Sequence, residues 1–71
     1  MAQLTYDQYD ELERAITNKT RIAVMRHGTE YVVVPSRLIL ERGREALQVW
    51  HPSGRTMTLY LDELESFEVV R

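Results

Sequence analysis

Seventy-one residues and 8.4 kDa suffice for one small domain, residues 1–71, and the absence of cysteine excludes a disulfide framework and a thiolate zinc site. A net charge of -2, 44% hydrophobic and 28% charged residues, with three Gly and two Pro, describe a chain able to fold rather than a disordered one. From Met1 onward there is no basic leader, apolar h-region or long apolar run, so neither a signal peptide nor a membrane span is expected, and the chain reads as cytoplasmic.

Leu4-Thr5-Tyr6-Asp7-Gln8 predicts a helix start, because Thr5 and Gln8 stand at capping-box spacing and each can satisfy an orphan backbone N–H. Leu4 and Tyr9 are placed as a hydrophobic staple across that cap, and Asp7 and Asp10 favour the positive end of the helix dipole. Tyr9, Leu12, Ala15 and Ile16 form one apolar stripe at helical spacing. Asn18, a residue that tolerates the left-handed conformation, is the expected stop. The helix is therefore predicted over about residues 6–17.

From Lys19 the period changes to two, predicting strands over about residues 20–70. Ile22 and Val24 alternate up to Arg26, His27-Gly28 supplies a hairpin turn, and Tyr31-Val32-Val33-Val34 returns. Pro35 is expected to end that strand, since proline has no ladder donor. Arg37-Leu38-Ile39-Leu40 reads as a third strand, Ala46 to Trp50 as a fourth, and Thr56 to Leu61 as a fifth. His51-Pro52-Ser53-Gly54 is a turn. Asp62 to Ser66 predicts one helical turn, and Phe67 to Val70 a last strand. Five or six short strands after one amphipathic helix predict a mainly β fold, a small SH3/Sm-like barrel with the helix covering an open end or face.

The charge is unevenly spread. Residues 1–18 carry -3, residues 19–55 carry +4 and residues 56–71 carry -3, and eight of the nine cations are arginine. Guanidinium groups grip phosphate and carboxylate bidentately, so the basic middle is a candidate anion-binding face; a solvated sheet surface paired with the acidic ends is the reading that common, cheap surface ion pairs favour. Trp50 alternates with Leu47 and Val49. It therefore either lies outward near Tyr60 as a stacking surface or packs beneath the helix as core, the reading favoured by a small domain's need for buried area.

Other chemistry finds little footing. His27 and His51 sit beside turns, and a zinc site would need a third ligand such as Glu30 or Glu41. Ser36, Ser53 and Ser66 lack a nucleophile elbow and read as turn formers. Asp62, Glu63 and Glu65 read as helix-start residues, and no glycine-rich phosphate loop occurs. No metal, cofactor or catalytic activity is expected.

The order of several landmarks resembles the WYL domain. They are Leu12-Glu13-Arg14-Ala15-Ile16, the basic strand Lys19 to Arg26 with its glycine turn, Val34-Pro35-Ser36-Arg37-Leu38, and Leu59-Tyr60-Leu61-Asp62-Glu63-Leu64. The likeness covers nearly all of residues 12 to 70. It implies a small Sm-like or SH3-like barrel of the kind found in bacterial transcription regulators, where such domains sense a ligand, often nucleic acid or nucleotide, and help oligomerisation. Departures fall on the ligand site. Glu45-Ala46-Leu47 stands where the family has Trp-Tyr-Leu, Arg26 where a first-strand tyrosine is common, and Glu63 where an arginine follows the aspartate. Met57 replaces a fifth-strand arginine, with Arg55 two residues earlier on the same face. The chain carries no helix-turn-helix for reading a duplex.

The expected function is a non-catalytic regulatory or accessory module. It would bind single-stranded nucleic acid or a nucleotide-like anion through Arg26, Arg37, Arg44 and Arg55, with Trp50 and Tyr60 as stacking surface. The alternative is a protein-interaction or homo-oligomerisation module without nucleic-acid affinity.

Overall fold

The computed structural model describes residues 4–70; Met1, Ala2 and Gln3, where the leader was sought, and Arg71, counted among the cations, lie outside the described residues. The chain forms α1 (Tyr6–Asn18), β1 (Ile22–Arg26), β2 (Thr29–Glu41), β3 (Arg44–Trp50), β4 (Thr56–Tyr60), a 3-10 turn Leu61–Glu63 and β5 (Leu64–Val69). The Thr5 side chain accepts from the Gln8 N–H at 3.2 Å, and the Gln8 side chain accepts from the Thr5 N–H at 2.8 Å, completing the capping box. The helix stops one residue later than expected. Lys19, not Asn18, takes the left-handed conformation (φ 54°), and the Thr20 N–H returns to the Ala15 carbonyl at 2.9 Å.

The strands form one five-stranded antiparallel sheet in the order β4-β3-β2-β1-β5. Both two-residue hairpins use a left-handed pair, His27-Gly28 (φ 50° and 77°) and Arg42-Gly43 (φ 52° and 76°), whose twist matches that of the flanking strands.

Pro35 does not end its strand. The two runs predicted on either side of it are one continuous β2, which is why five strands form rather than six. The first half of β2 pairs with β1 up to Val33, and the second half pairs with β3 from Val34 onward. Pro35 thus lies just where one edge of β2 loses its neighbour, so a missing N–H breaks no ladder bond there. A bulge between Pro35 and Arg37 bends the strand, and the Ser36 hydroxyl donates to the Gln48 carbonyl at 3.0 Å.

The bend lets both halves of the sheet share one core. Ile22, Val24, Val33 and Leu64 come from one side, Leu47, Val49 and Leu59 from the other, and Leu4, Leu12 and Ala15 from the helical segment. The Tyr9 hydroxyl donates to the Glu45 carboxylate, tying α1 to β3. The cylinder is not closed, because β4 and β5 end the strand order and no ladder joins them among the described residues. The 3-10 turn is one residue earlier than predicted, and β5 begins at Leu64 instead of Phe67. Among the described residues no helix is long and apolar enough to cross a membrane.

Candidate functional site

Cross-strand register places the candidate side chains. Four rows share the outer face of the β2–β3–β4 portion: Val34, Trp50 and Thr56; Arg37, Gln48 and Thr58; Ile39, Ala46 and Tyr60; Glu41 and Arg44. Between them Leu47, Val49 and Leu59 turn inward and are buried. Trp50 is 49% exposed on this outer face. Packing beneath the helix, the reading favoured on buried area, is therefore not what occurs: Leu47 and Val49 already occupy the inward positions of β3.

Arg44 and Tyr60 belong to a closed cluster at one end of that face. Arg44 Nε and Nη2 donate to the two Asp62 oxygens at 3.0 and 2.6 Å, and Nη2 also reaches Glu63 at 3.3 Å. The Arg44 guanidinium lies 3.9 Å from the Tyr60 ring centroid, while the Tyr60 hydroxyl donates to Glu41 at 2.8 Å. The bond to Arg44 holds the Asp62 carboxyl below its ordinary range, and the bond to Glu41 pushes the Tyr60 hydroxyl up. These contacts use the charge of Arg44 internally. It spans β3 and the turn before β5, a structural clasp.

The other end of the face is open. Arg37 donates from Nε to the Gln48 side-chain oxygen at 2.7 Å, which fixes its stem without neutralising it. Its row lies next to that of Trp50, roughly 7 Å along the strands by the two-residue rise, whereas Tyr60 is roughly 13 Å away. Trp50 and Tyr60 are thus not neighbours. Arg55 precedes Thr56, the cross-strand partner of Trp50. Among the described residues neither Arg37 nor Arg55 has a carboxylate within ion-pairing distance.

Arg55 also lines a groove of about 560 Å³ with Tyr31, His51, Ser53, Thr56 and Met57. The shared face expected for Arg55 and Met57 has its counterpart here. Arg26 stands apart at the end of β1, in the alternation of the inward Ile22 and Val24. Its guanidinium lies 5.5 Å from the Tyr31 ring centroid, and its Nε is buried without a hydrogen-bond partner. The four arginines therefore do not form one patch. Arg37 stands one row from Trp50, Arg55 lines the groove, Arg26 borders the groove wall through Tyr31, and Arg44 is neutralised.

His51, Ser53, Tyr31 and Met57 were missed as a group because register and loop closure bring them together. One signal was available: residues 31–40 and 46–61 contain no Asp or Glu, while carrying Arg37 and Arg55. His27 lies 3.9 Å from Glu63, and among the described residues no three His, Asp or Glu side chains gather as metal ligands. No family model matches this chain, and no curated protein matches it.

Proposed function

We propose that the chain is a non-catalytic, WYL-like small-barrel module of SH3/Sm-like type, a cytoplasmic regulatory or accessory domain that binds single-stranded nucleic acid. The strand order, the bent β2 and the 3-10 turn before β5 support the barrel reading. The observation that carries the binding reading is the half-exposed Trp50 with the unneutralised Arg37 one row away on the same face and the unneutralised Arg55 in the turn that precedes Thr56, all in carboxylate-free segments. An indole face offers stacking to any base, and guanidinium groups take the backbone phosphates, a combination that suits single strands without demanding a sequence. Arg44 and Tyr60 are assigned to the scaffold, because their polar groups are already engaged.

Two phosphate-contacting arginines on a single strand give a salt slope of about -1.4, so affinity falls about sevenfold between 50 and 200 mM salt. Titration of Trp50 fluorescence with short oligonucleotides at both salts measures this. Trp50→Ala, monitored by anisotropy of a labelled oligonucleotide, is expected to weaken binding about 5- to 150-fold, the worth of one stacked base. No binding at either salt overturns the proposal. The unpaired edges of β4 and β5, with Leu40 72% exposed, favour the second reading, a homo-oligomerisation module. A dimer stable to dilution in sedimentation, with no oligonucleotide affinity, supports it.

A further inference from the structure

We infer that the groove beside Trp50 is a subsite for a nucleoside monophosphate, holding the terminal phosphate-bearing nucleotide of a bound strand; this rests on the single-strand reading above. The groove volume of about 560 Å³ falls within the range of small-molecule sites. Its walls divide by chemistry. Tyr31 and Met57 supply a ring and a polarisable thioether for a planar base, whereas His51, Ser53, Thr56 and Arg55 supply hydrogen-bonding groups.

The histidine is oriented by its own turn. His51 Nδ1 accepts from the Ser53 backbone N–H at 3.1 Å and lies 2.9 Å from the Ser53 hydroxyl oxygen. An Nδ1 that accepts places the ring proton of the neutral imidazole on Nε2. That N–H has no partner among the described residues. The Gly54 N–H to His51 carbonyl bond (2.8 Å) and the His51 N–H to Arg55 carbonyl bond (2.8 Å) close the turn and hold His51 and Arg55 at its two ends.

The charge is complementary to a dianion. No Asp or Glu lines the groove, Glu30 alternates away from Tyr31 on its strand, and Arg26 adds a second guanidinium against the Tyr31 ring. A phosphomonoester carries about -1.5 to -2 charge at pH 7 with three acceptor oxygens, more than an internal phosphodiester offers. Arg55 and the His51 Nε2–H are suited to it as fork and single donor. Thr56 joins the two places, since it lines the groove and pairs with Trp50 across β3 and β4. A strand stacked on Trp50 would reach the groove by crossing the start of β4 at Thr56, from the outer face to the face of Tyr31 and Met57.

Adenosine 5′-monophosphate, adenosine and inorganic phosphate would be titrated separately into the full chain, followed by NMR of the His51 ring and the Ser53 and Arg55 amides. Expected is saturable perturbation by the monophosphate, at least tenfold tighter than by adenosine or phosphate, with loss in Arg55→Gln. The amide spectrum of Arg55→Gln reports its folding, and His51→Gln provides a second variant with the same expected loss. Equal affinity for phosphate and the monophosphate overturns the inference, because it leaves no role for the apolar walls. Oligonucleotide binding at Trp50 with no monophosphate response at His51 overturns it while leaving the single-strand reading intact. Monophosphate binding without oligonucleotide binding supports the subsite and overturns the strand reading.

Discussion

Leu47 and Leu40 belong to the same β2–β3 hairpin and share chemistry, yet Leu47 is fully buried and Leu40 is 72% exposed. Leu47 faces Leu38 on β2 and Leu59 on β4. Truncating Leu47 to alanine removes three carbon groups, worth about 2.4 kcal/mol of transfer free energy at ~0.8 per group. An unfilled cavity raises this to about 3–5 kcal/mol. A domain this size holds about 3.5–10 kcal/mol in total, so Leu47→Ala removes a large share of it. Its thermal midpoint should fall by at least about 12 °C at ~4–8 °C per kcal/mol. Leu40→Ala should stay within about 0.5 kcal/mol of the parent. Urea unfolding followed by far-UV circular dichroism measures both. Comparable losses from the two variants would refute this placement, since Leu40 and Leu47 share the inward face and differ in that Leu40 stands opposite Glu45 near the hairpin end while Leu47 sits between Leu38 and Leu59.

Two further outcomes test the scaffold. Arg44 holds the Asp62 carboxyl below its ordinary value, so this contact contributes stability that is fully present above the unfolded value near pH 4 and drains as pH falls through the lower folded value. Asp62→Asn should therefore lower the urea midpoint at pH 7 and shrink its further loss on acidification to pH 2, compared with the parent. Thr5→Ala removes the acceptor for the Gln8 N–H and should cost about 1 kcal/mol, read as a lower urea midpoint with an unchanged slope; Thr5→Ser should retain most of it.

The N-terminal helix was legible because its signals are local. Thr5 and Gln8 are three residues apart, and the Tyr9, Leu12, Ala15 and Ile16 stripe needs only the helical period. The alternation of Leu47 and Val49 with Trp50 was equally legible, but not which side faces the core: buried area favoured Trp50, and the tertiary structure gives the inward side to Leu47 and Val49. Pro35 misled because proline ends a strand only where a ladder donor is required, and that depends on which neighbour lies alongside. The partner exchange of β2, from β1 to β3, lies outside any local window.

The sequence by itself determined the helix, the two-residue rhythm of the strands and the carboxylate-free segments around Arg37 and Arg55, all properties of neighbouring residues. Tertiary structure alone decided how the arginines divide. Arg44 met Asp62 and Glu63 across 18 and 19 positions of chain, while strand register left Trp50 half exposed one row from Arg37 and the turn at His51 put Arg55 in the groove. Charge pairing depends on distance in space, and strand register sets that distance.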